Sequence, residues 1–374
     1  MNKLWQRIRR PVLIAGMIAL LLAGLTGCNL LVAPQGSSAV VFAVDSANGN
    51  VYEIDADNAE SAAVPLVSTK QNATGKMVIS GTKAFLAVAS WKNTRPGLYW
   101  FDLSSKTPAV SQIGQDISAQ YICIASSTKG YVSSADWGGT YENAVYPFNP
   151  SNPAAGLGSA ISGFDAGFFP QDVAYVDDGN GTGRVFVADN GNGKVYRLNA
   201  EGTAVEKSFA TSAGGTTGLL AGEFDSNGDG VKEPGVFVAN SGGYDANWNP
   251  LPGSIDFIPL LAVSVSNVVP VQSSLSASAL AFLDALDATH LAATSYGHTW
   301  LIDLSKPVGD ASRLTEIKNS SGASFGSMDI AVRDGYAYVP DGAQTVYRFK
   351  LNSPTTAIPT GKSGEMITNI AVRQ

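Results

Sequence analysis

The run Val185-Phe186-Val187-Ala188-Asp189, followed by a Gly/Asn turn and by Val195-Tyr196-Arg197-Leu198-Asn199, carries the pattern from which the architecture is read. Each half is short, apolar and rich in β-branched and aromatic residues. Punctuation by Gly, Asn and Asp makes the pair a hairpin of two strands. The same unit recurs as Val41-Phe42-Ala43-Val44-Asp45 with Val51-Tyr52-Glu53-Ile54-Asp55, and as Ala337-Tyr338-Val339-Pro340-Asp341 with Val346-Tyr347-Arg348-Phe349. Weaker copies put Tyr99, Tyr146, Asp256 and Trp300 at the aromatic place. The seven places, 52, 99, 146, 196, 256, 300 and 347, are spaced by 47, 47, 50, 60, 44 and 47 residues.

A sheet of four short strands cannot bury both its faces alone. Sheets stacked radially about an axis can, which is the propeller solution. The expectation is therefore an all-β, seven-bladed β-propeller. A further strand precedes each hairpin, such as Met328-Asp329-Ile330-Ala331-Val332. Thr368-Asn369-Ile370-Ala371-Val372 repeats it with no hairpin behind it. Its hairpin is the one starting near Val40. The C-terminal strand is expected to pair with the N-terminal hairpin, closing the ring and removing free sheet edges.

The chain opens differently. Lys3, Arg7, Arg9 and Arg10 precede an apolar run at residues 12–25, too short to cross a bilayer comfortably, which takes about 20 residues. This reads as a signal peptide. It ends in Leu25-Thr26-Gly27-Cys28, which resembles the bacterial lipobox. The resemblance implies that Cys28 is acylated and that residues 1–27 are removed; the plain alternative is an ordinary signal peptide with a chance Cys. The expected organisation is a signal peptide at 1–27, an acylated Cys and tether at 28–37, and a propeller at 38–374. Asn29 is not the Asp that retains lipoproteins at the inner membrane of enteric bacteria, which favours the outer membrane or cell surface within the cell envelope.

Composition excludes several classes. Charged residues are 15% of the chain, against roughly 25% in an average soluble domain. The formal net charge is -7, and loss of residues 1–27 leaves 20 basic against 31 acidic residues, a net of -11. A nucleic-acid partner needs a basic face and is not expected. Two Cys and two His leave no Cys/His zinc cluster and no haem-attachment motif. Cys123, in an apolar strand pattern, reads as a buried inert thiol.

Residues 328–361 carry a family resemblance: Met328-Asp329-Ile330-Ala331-Val332, Tyr338-Val339-Pro340-Asp341, Val346-Tyr347-Arg348-Phe349 and Ala357-Ile358-Pro359-Thr360-Gly361. They resemble the repeat unit of the YVTN-repeat and lactonase-like seven-bladed propellers, and residues 171–199 match nearly as well. The resemblance implies fold only, since such propellers include binding proteins, surface-layer components and lactonases.

Chemistry is sparse. His290 and His298 are the only imidazoles, and no catalytic residue is assigned. Asp225-Ser226-Asn227-Gly228-Asp229-Gly230-Val231-Lys232-Glu233 spaces oxygen donors as calcium loops do. Calcium is expected on Asp225, Asn227, Asp229, the Val231 carbonyl and Glu233; the alternative is a turn needing no metal. Trp91, Trp137, Tyr141, Tyr244, Trp248 and His298 all fall between the second and third strands of their units. They should share one face of the propeller. Asp45, Asp136, Asp189, Asn240 and Asp341, near the ends of second strands, should make that face acidic, and Asp189 joins the candidate partner-binding set. The function that follows is a lipid-anchored, extracytoplasmic, non-catalytic binding or scaffold protein. Its partner could be a protein, a cell-wall polymer or a glycan. The competing reading is a metal-dependent, lactonase-like hydrolase with three or four carboxylate or His ligands at the axial mouth.

Overall fold

Val41–Asp45 pairs on one side with Asn50–Ile54 and on the other with Ile367–Val372, the last strand of the chain. With Pro65–Ser68 outside, these strands make blade one. The computed structural model describes residues 41–373, apart from 55–63, 73, 178, 180–182, 278, 283–288, 351–356 and 363. The signal segment, Cys28 and the tether lie outside the described residues. Ser37–Gln374 gathers into one compact unit.

Among the described residues there are seven antiparallel sheets; six run in chain order from the inner strand outward, and blade one has the last strand of the chain, Ile367–Val372, innermost. The first strands of blades two to seven are Thr74–Ser80, Ala119–Ser126, Pro170–Val176, Gly214–Phe224, Ala279–Phe282 and Ala331–Arg333. Each touches the first strand of the blade before and after it, and Ile367–Val372 touches those of blades seven and two. The first strands thus form a closed inner ring, as expected, and no blade is left with an open inner edge.

The repeat reads out in register. All seven places, 52 to 347, fall in the third strand of their blades, opposite Ala43, Leu86, Val132, Val187, Val238, Ala293 and Val339 of the second. Physical reason follows from packing. Seven buried apolar clusters fill the seven gaps between neighbouring blades, and Tyr52, Tyr99, Tyr146 and Tyr196 are members of them. Their hydroxyls reach the rim: Tyr99 donates to the Arg95 carbonyl at 2.5 Å and Tyr146 to Glu142 at 3.1 Å. A tyrosine suits this place because its body is apolar and its tip finds a partner. In blade five Asp256 takes it, accepting from the Ser212 N–H at 2.8 Å and from Asn240 Nδ2 at 3.0 Å.

Blade three has three strands among the described residues, Ala119–Ser126, Lys129–Ser134 and Ala144–Phe148. Its outer edge is covered by irregular chain: the Gly158 and Ile161 N–H groups donate to the Pro147 and Val145 carbonyls at 2.8 and 2.9 Å. Between blades two and four, the chain therefore shields an edge that would otherwise invite pairing. Among the described residues no helix is long and apolar enough to cross a membrane.

Candidate functional site

The loops between second and third strands emerge on one face. Trp91 is 68% exposed, Trp137 82%, Tyr244 65% and Trp248 81%. These rings stand out from the blades instead of packing between them. Trp137 still rests against the buried Phe169, ring centroids 4.0 Å apart, and Tyr244 lies 6.0 Å from Trp248. Tyr141 is half-buried and His298 exposed. Tyr296, in the equivalent turn of blade six, is also exposed, and the sequence reading missed it. Gly242, at φ 93°, starts the blade-five loop; a Cβ there would lie 2.0 Å from the Leu251 carbonyl oxygen.

Asp45, Asp136 and Asp189, three of the residues expected to make this face acidic, are turned inward. Asp189 is fully buried and accepts from the N–H groups of Phe169, Gly191 and Asn192 at 2.9, 3.0 and 3.3 Å. Asp136 accepts from Gly138, Thr140 and Tyr141 and from the Ser90 hydroxyl. Asp45 accepts from Ala47, Glu365 and Met366. These carboxylates clamp the loops that carry the aromatic rings. Asp189 is thus a positioning residue with no surface to offer a partner, which corrects the expectation placed on it.

The calcium site expected at residues 225–233 does not form. Asp225 spends its carboxylate on the Gly228, Asp229 and Gly230 N–H groups at 2.8, 3.2 and 2.9 Å. Asn227 Oδ1 accepts from Asp229 N–H at 3.0 Å and Asp229 Oδ1 from Val231 N–H at 2.8 Å. Glu233 accepts from the Ser226 hydroxyl. The oxygens cap their own turn instead of converging on one point, the usual behaviour of Asx turns. Among the described residues no group of three or more His, Cys, Asp or Glu side chains could hold a metal ion. The ligand set demanded by the lactonase-like reading is therefore missing among them as well.

Two polar constellations escaped the sequence reading. Gly322-Ala323-Ser324-Phe325-Gly326 matches the letters G-x-S-x-G. It lies in a loop before blade seven, without the strand-to-helix elbow that gives the motif its chemistry. Ser324 Oγ donates to Glu316 Oε1 at 2.7 Å, and His298 Nδ1 shares that same oxygen at 2.8 Å. The Ser324 hydroxyl, then His298, hold the Glu316 carboxyl below the usual carboxylate range, so it is a poor base. The imidazole does not stand between hydroxyl and acid as a relay requires.

The second constellation is axial. In the first strands, Met77, Ile122, Val173, Leu219, Leu280 and Ile370 lie opposite Leu86, Val132, Val187, Val238, Ala293 and Ala43. Ile330, one place before the Ala331–Tyr338 pair, is their counterpart in blade seven. The residues just before these seven are Lys76, Tyr121, Asp172, Gly218, Ala279, Asn369 and Asp329. In blades two to five the ladder slips immediately ahead of this place, a bulge that re-aims the side chain. Lys76 Nζ meets Asp329 Oδ1 at 2.6 Å, joining blade two to blade seven past blade one. Asp329 Oδ2 accepts from Ile370 N–H at 3.1 Å, and Asp172 Oδ2 accepts from Leu219 N–H at 2.8 Å, the same reach into the next blade. Burial alone would lower the Lys76 pKa; Asp329 and Asp172 override it and hold the ammonium above its ordinary value. Burial pushes Asp172 up to about 6, against the Leu219 N–H and Lys76. It also raises the Tyr121 hydroxyl, and it pushes the Cys123 thiol up to about 12, leaving that thiol inert.

Solved structures share the architecture. A nidogen/laminin complex matches with a TM-score of 0.50 at 12% identity over 78% of this chain and 98% of that one. The computationally designed protein Ika8 matches at 0.52 and 11% over 91% and 92%. The hydrazine synthase of Kuenenia stuttgartiensis matches at 0.51 and 13% over 74% and 76%. At such identities the likeness is one of fold alone. No protein-family model and no curated protein matches the chain. The molecule is a seven-bladed β-propeller, a scaffold suited to binding.

Proposed function

We propose that this is a lipid-anchored propeller of the cell envelope that binds a polyhydroxyl partner, a glycan or cell-wall polymer, and catalyses nothing. The observation that carries the reading is the set of exposed rings Trp91, Trp137, Tyr244, Trp248 and Tyr296 on loops between second and third strands. Loops on a rigid scaffold concentrate binding residues, and Trp and Tyr dominate hot spots. Flat rings stack on the C–H faces of sugars, while nearby Ser and Asn groups serve hydroxyls. With Asp45, Asp136 and Asp189 consumed by their own loops, the face offers rings more than charge, which favours a neutral partner over a cationic protein. The resemblance to YVTN-repeat propellers and the lipobox at Cys28 supply the setting. The non-catalytic part is supported by Ser324 and His298 converging on one oxygen of Glu316. Pull-down of the full-length protein with purified cell-wall polymer tests the reading. Trp137→Ala with Trp248→Ala is expected to abolish capture while leaving the melting temperature unchanged. Capture that persists in the folded double variant refutes it.

A further inference from the structure

We propose that a second binding site lies between blades three and four, on the face opposite the aromatic loops, and that its ligand is a small aliphatic carboxylate such as acetate, held by Lys129 and the Tyr131 hydroxyl. The site shares no residue with the aromatic loops and does not depend on them.

The first argument is a cavity of about 140 Å³. Blade three gives it the turn between Ala119–Ser126 and Lys129–Ser134. Blade four gives it Tyr175 and Gly183, at the facing ends of its first two strands, and the turn at 199–202 that follows Lys194–Leu198. All of these lie at the strand ends opposite the loops between second and third strands. Ser126 and Ala200 in its lining are exposed, so it opens to solvent. A cavity of about 150 Å³ takes a benzene-sized guest, so a small organic acid has room. Two glycines shape the wall. A Cβ at Gly202, which has φ 64°, would overlap the Tyr131 hydroxyl and lie 3.5 Å from Lys129 Nζ. A Cβ at Gly183 would overlap the Tyr175 hydroxyl. Gly202 thereby lets the polar tips of Lys129 and Tyr131 converge on one spot.

The second argument is unmet hydrogen bonding. Tyr131 is fully buried, yet its hydroxyl has no hydrogen-bond partner among the described residues. A buried polar group left unpaired is costly and calls for a partner. Burial, aided by Cys123 and Tyr175, pushes the Tyr131 pKa up to about 12, so the hydroxyl keeps its proton to donate. Lys129 donates to the Glu201 carbonyl, with Nζ 6.0 Å from the centre of the Tyr131 ring. An ammonium has three donors, so capacity remains. Among the described residues no carboxylate is in ion-pair contact with Lys129. None of the residues lining the cavity is acidic. In a chain of net charge -7, this wall carries one charge, and it is positive. One cation beside one neutral donor fits the two oxygens of a monocarboxylate, which only accepts. Ala125, Val185 and the tyrosine rings give its aliphatic end an apolar wall.

Titrating the full-length protein with sodium acetate near pH 7.5, against sodium chloride at equal ionic strength, tests this by heat. Saturable one-to-one binding is expected. Tyr131→Phe removes only the hydroxyl and should weaken binding at least about tenfold, as for loss of a hydrogen bond to a charged group. Lys129→Met keeps the apolar stem without the charge and should weaken it by at least as much. Trp137→Ala with Trp248→Ala should bind acetate as the wild type does, whatever it does to polymer capture. No saturable heat beyond the chloride control overturns the proposal and leaves the cavity to water. So does equal affinity in Tyr131→Phe or in Lys129→Met, or loss of binding in the tryptophan variant. If Lys129→Met fails to fold, Tyr131→Phe decides, since deleting an unpartnered hydroxyl leaves the packing in place.

Discussion

Arg197 of blade four donates from Nη1 to the carbonyl oxygen of Leu260 in blade five, 2.6 Å away. The same nitrogen donates to the Ala262 carbonyl at 2.8 Å, and Nε holds Glu206 at 3.1 Å. Arg313 repeats the device between blades six and five, donating to the Val271 carbonyl at 2.9 Å. These guanidinium groups are buried staples between blades whose other contacts are mostly apolar.

Arg197→Met should therefore destabilise the fold. It keeps the apolar stem but strands two carbonyls, each costing about 1–3 kcal/mol when buried without a partner. A denaturant midpoint lowered with an unchanged slope checks this. An unchanged midpoint denies the staple any energetic role.

Ring closure should depend on Asp45. Its carboxylate accepts from Glu365 and Met366 N–H at 2.8 and 3.2 Å, and Ser46 N–H donates to the Met366 carbonyl at 2.9 Å. Asp45→Ala is expected to cost about 2–4 kcal/mol. Removal of residues 366–374 should do more, because Val41–Asp45 loses its partner strand and exposes an edge. Melting temperature and light scattering give the readouts, with aggregation expected for the truncation.

Asp172 should leave a signature in the pH dependence of stability. Its folded pKa, about 6, lies above the ordinary aspartate value, so the folded protein holds this proton more tightly than the unfolded chain. The contribution is present in full below about pH 4 and is lost as pH rises to about 6, by up to about 3 kcal/mol. Asp172→Asn removes it. The difference in unfolding free energy between variant and wild type should move toward the variant from pH 4 to pH 6.5 and then level off. A flat difference contradicts the shift.

Cys28→Ser should release or misprocess the protein. Each buried CH₂ contributes about 0.8 kcal/mol to membrane binding, and two or more chains are needed for stable anchoring. Membrane fractionation reads the outcome, and normal processing with retention at the membrane refutes the lipobox.

The blades were legible because strand pairing repeats: Tyr52, Tyr99, Tyr146 and Tyr196 fill one packing niche, so their spacing survives in the chain. Asp256 fills the same niche by hydrogen bonding, and only the period betrayed it. The axial set was not legible in this way. Lys76, Asp172 and Asp329 are far apart in sequence and meet only because the ring closes. Their signal lay in aligning Gln171-Asp172-Val173-Ala174 with Met328-Asp329-Ile330-Ala331. The calcium expectation failed for the opposite reason. The spacing of Asp225, Asn227 and Asp229 is shared by cation loops and by turns that cap themselves, and the local N–H groups won.

Closure by Ile367–Val372 also sets the order in which the molecule can be made. Val41 and Val372 are paired neighbours at opposite ends of the propeller sequence. During vectorial synthesis, blades two to six hold all their strands early and can assemble locally. The hairpin at Val41 must wait, edge exposed, until the last strand arrives. Such long-range pairing is slow and leaves an aggregation-prone intermediate. Time spent in that half-made state, more than the stability of the finished ring, should govern yield in the cell and make the hairpin a natural place for an escorting chaperone to act.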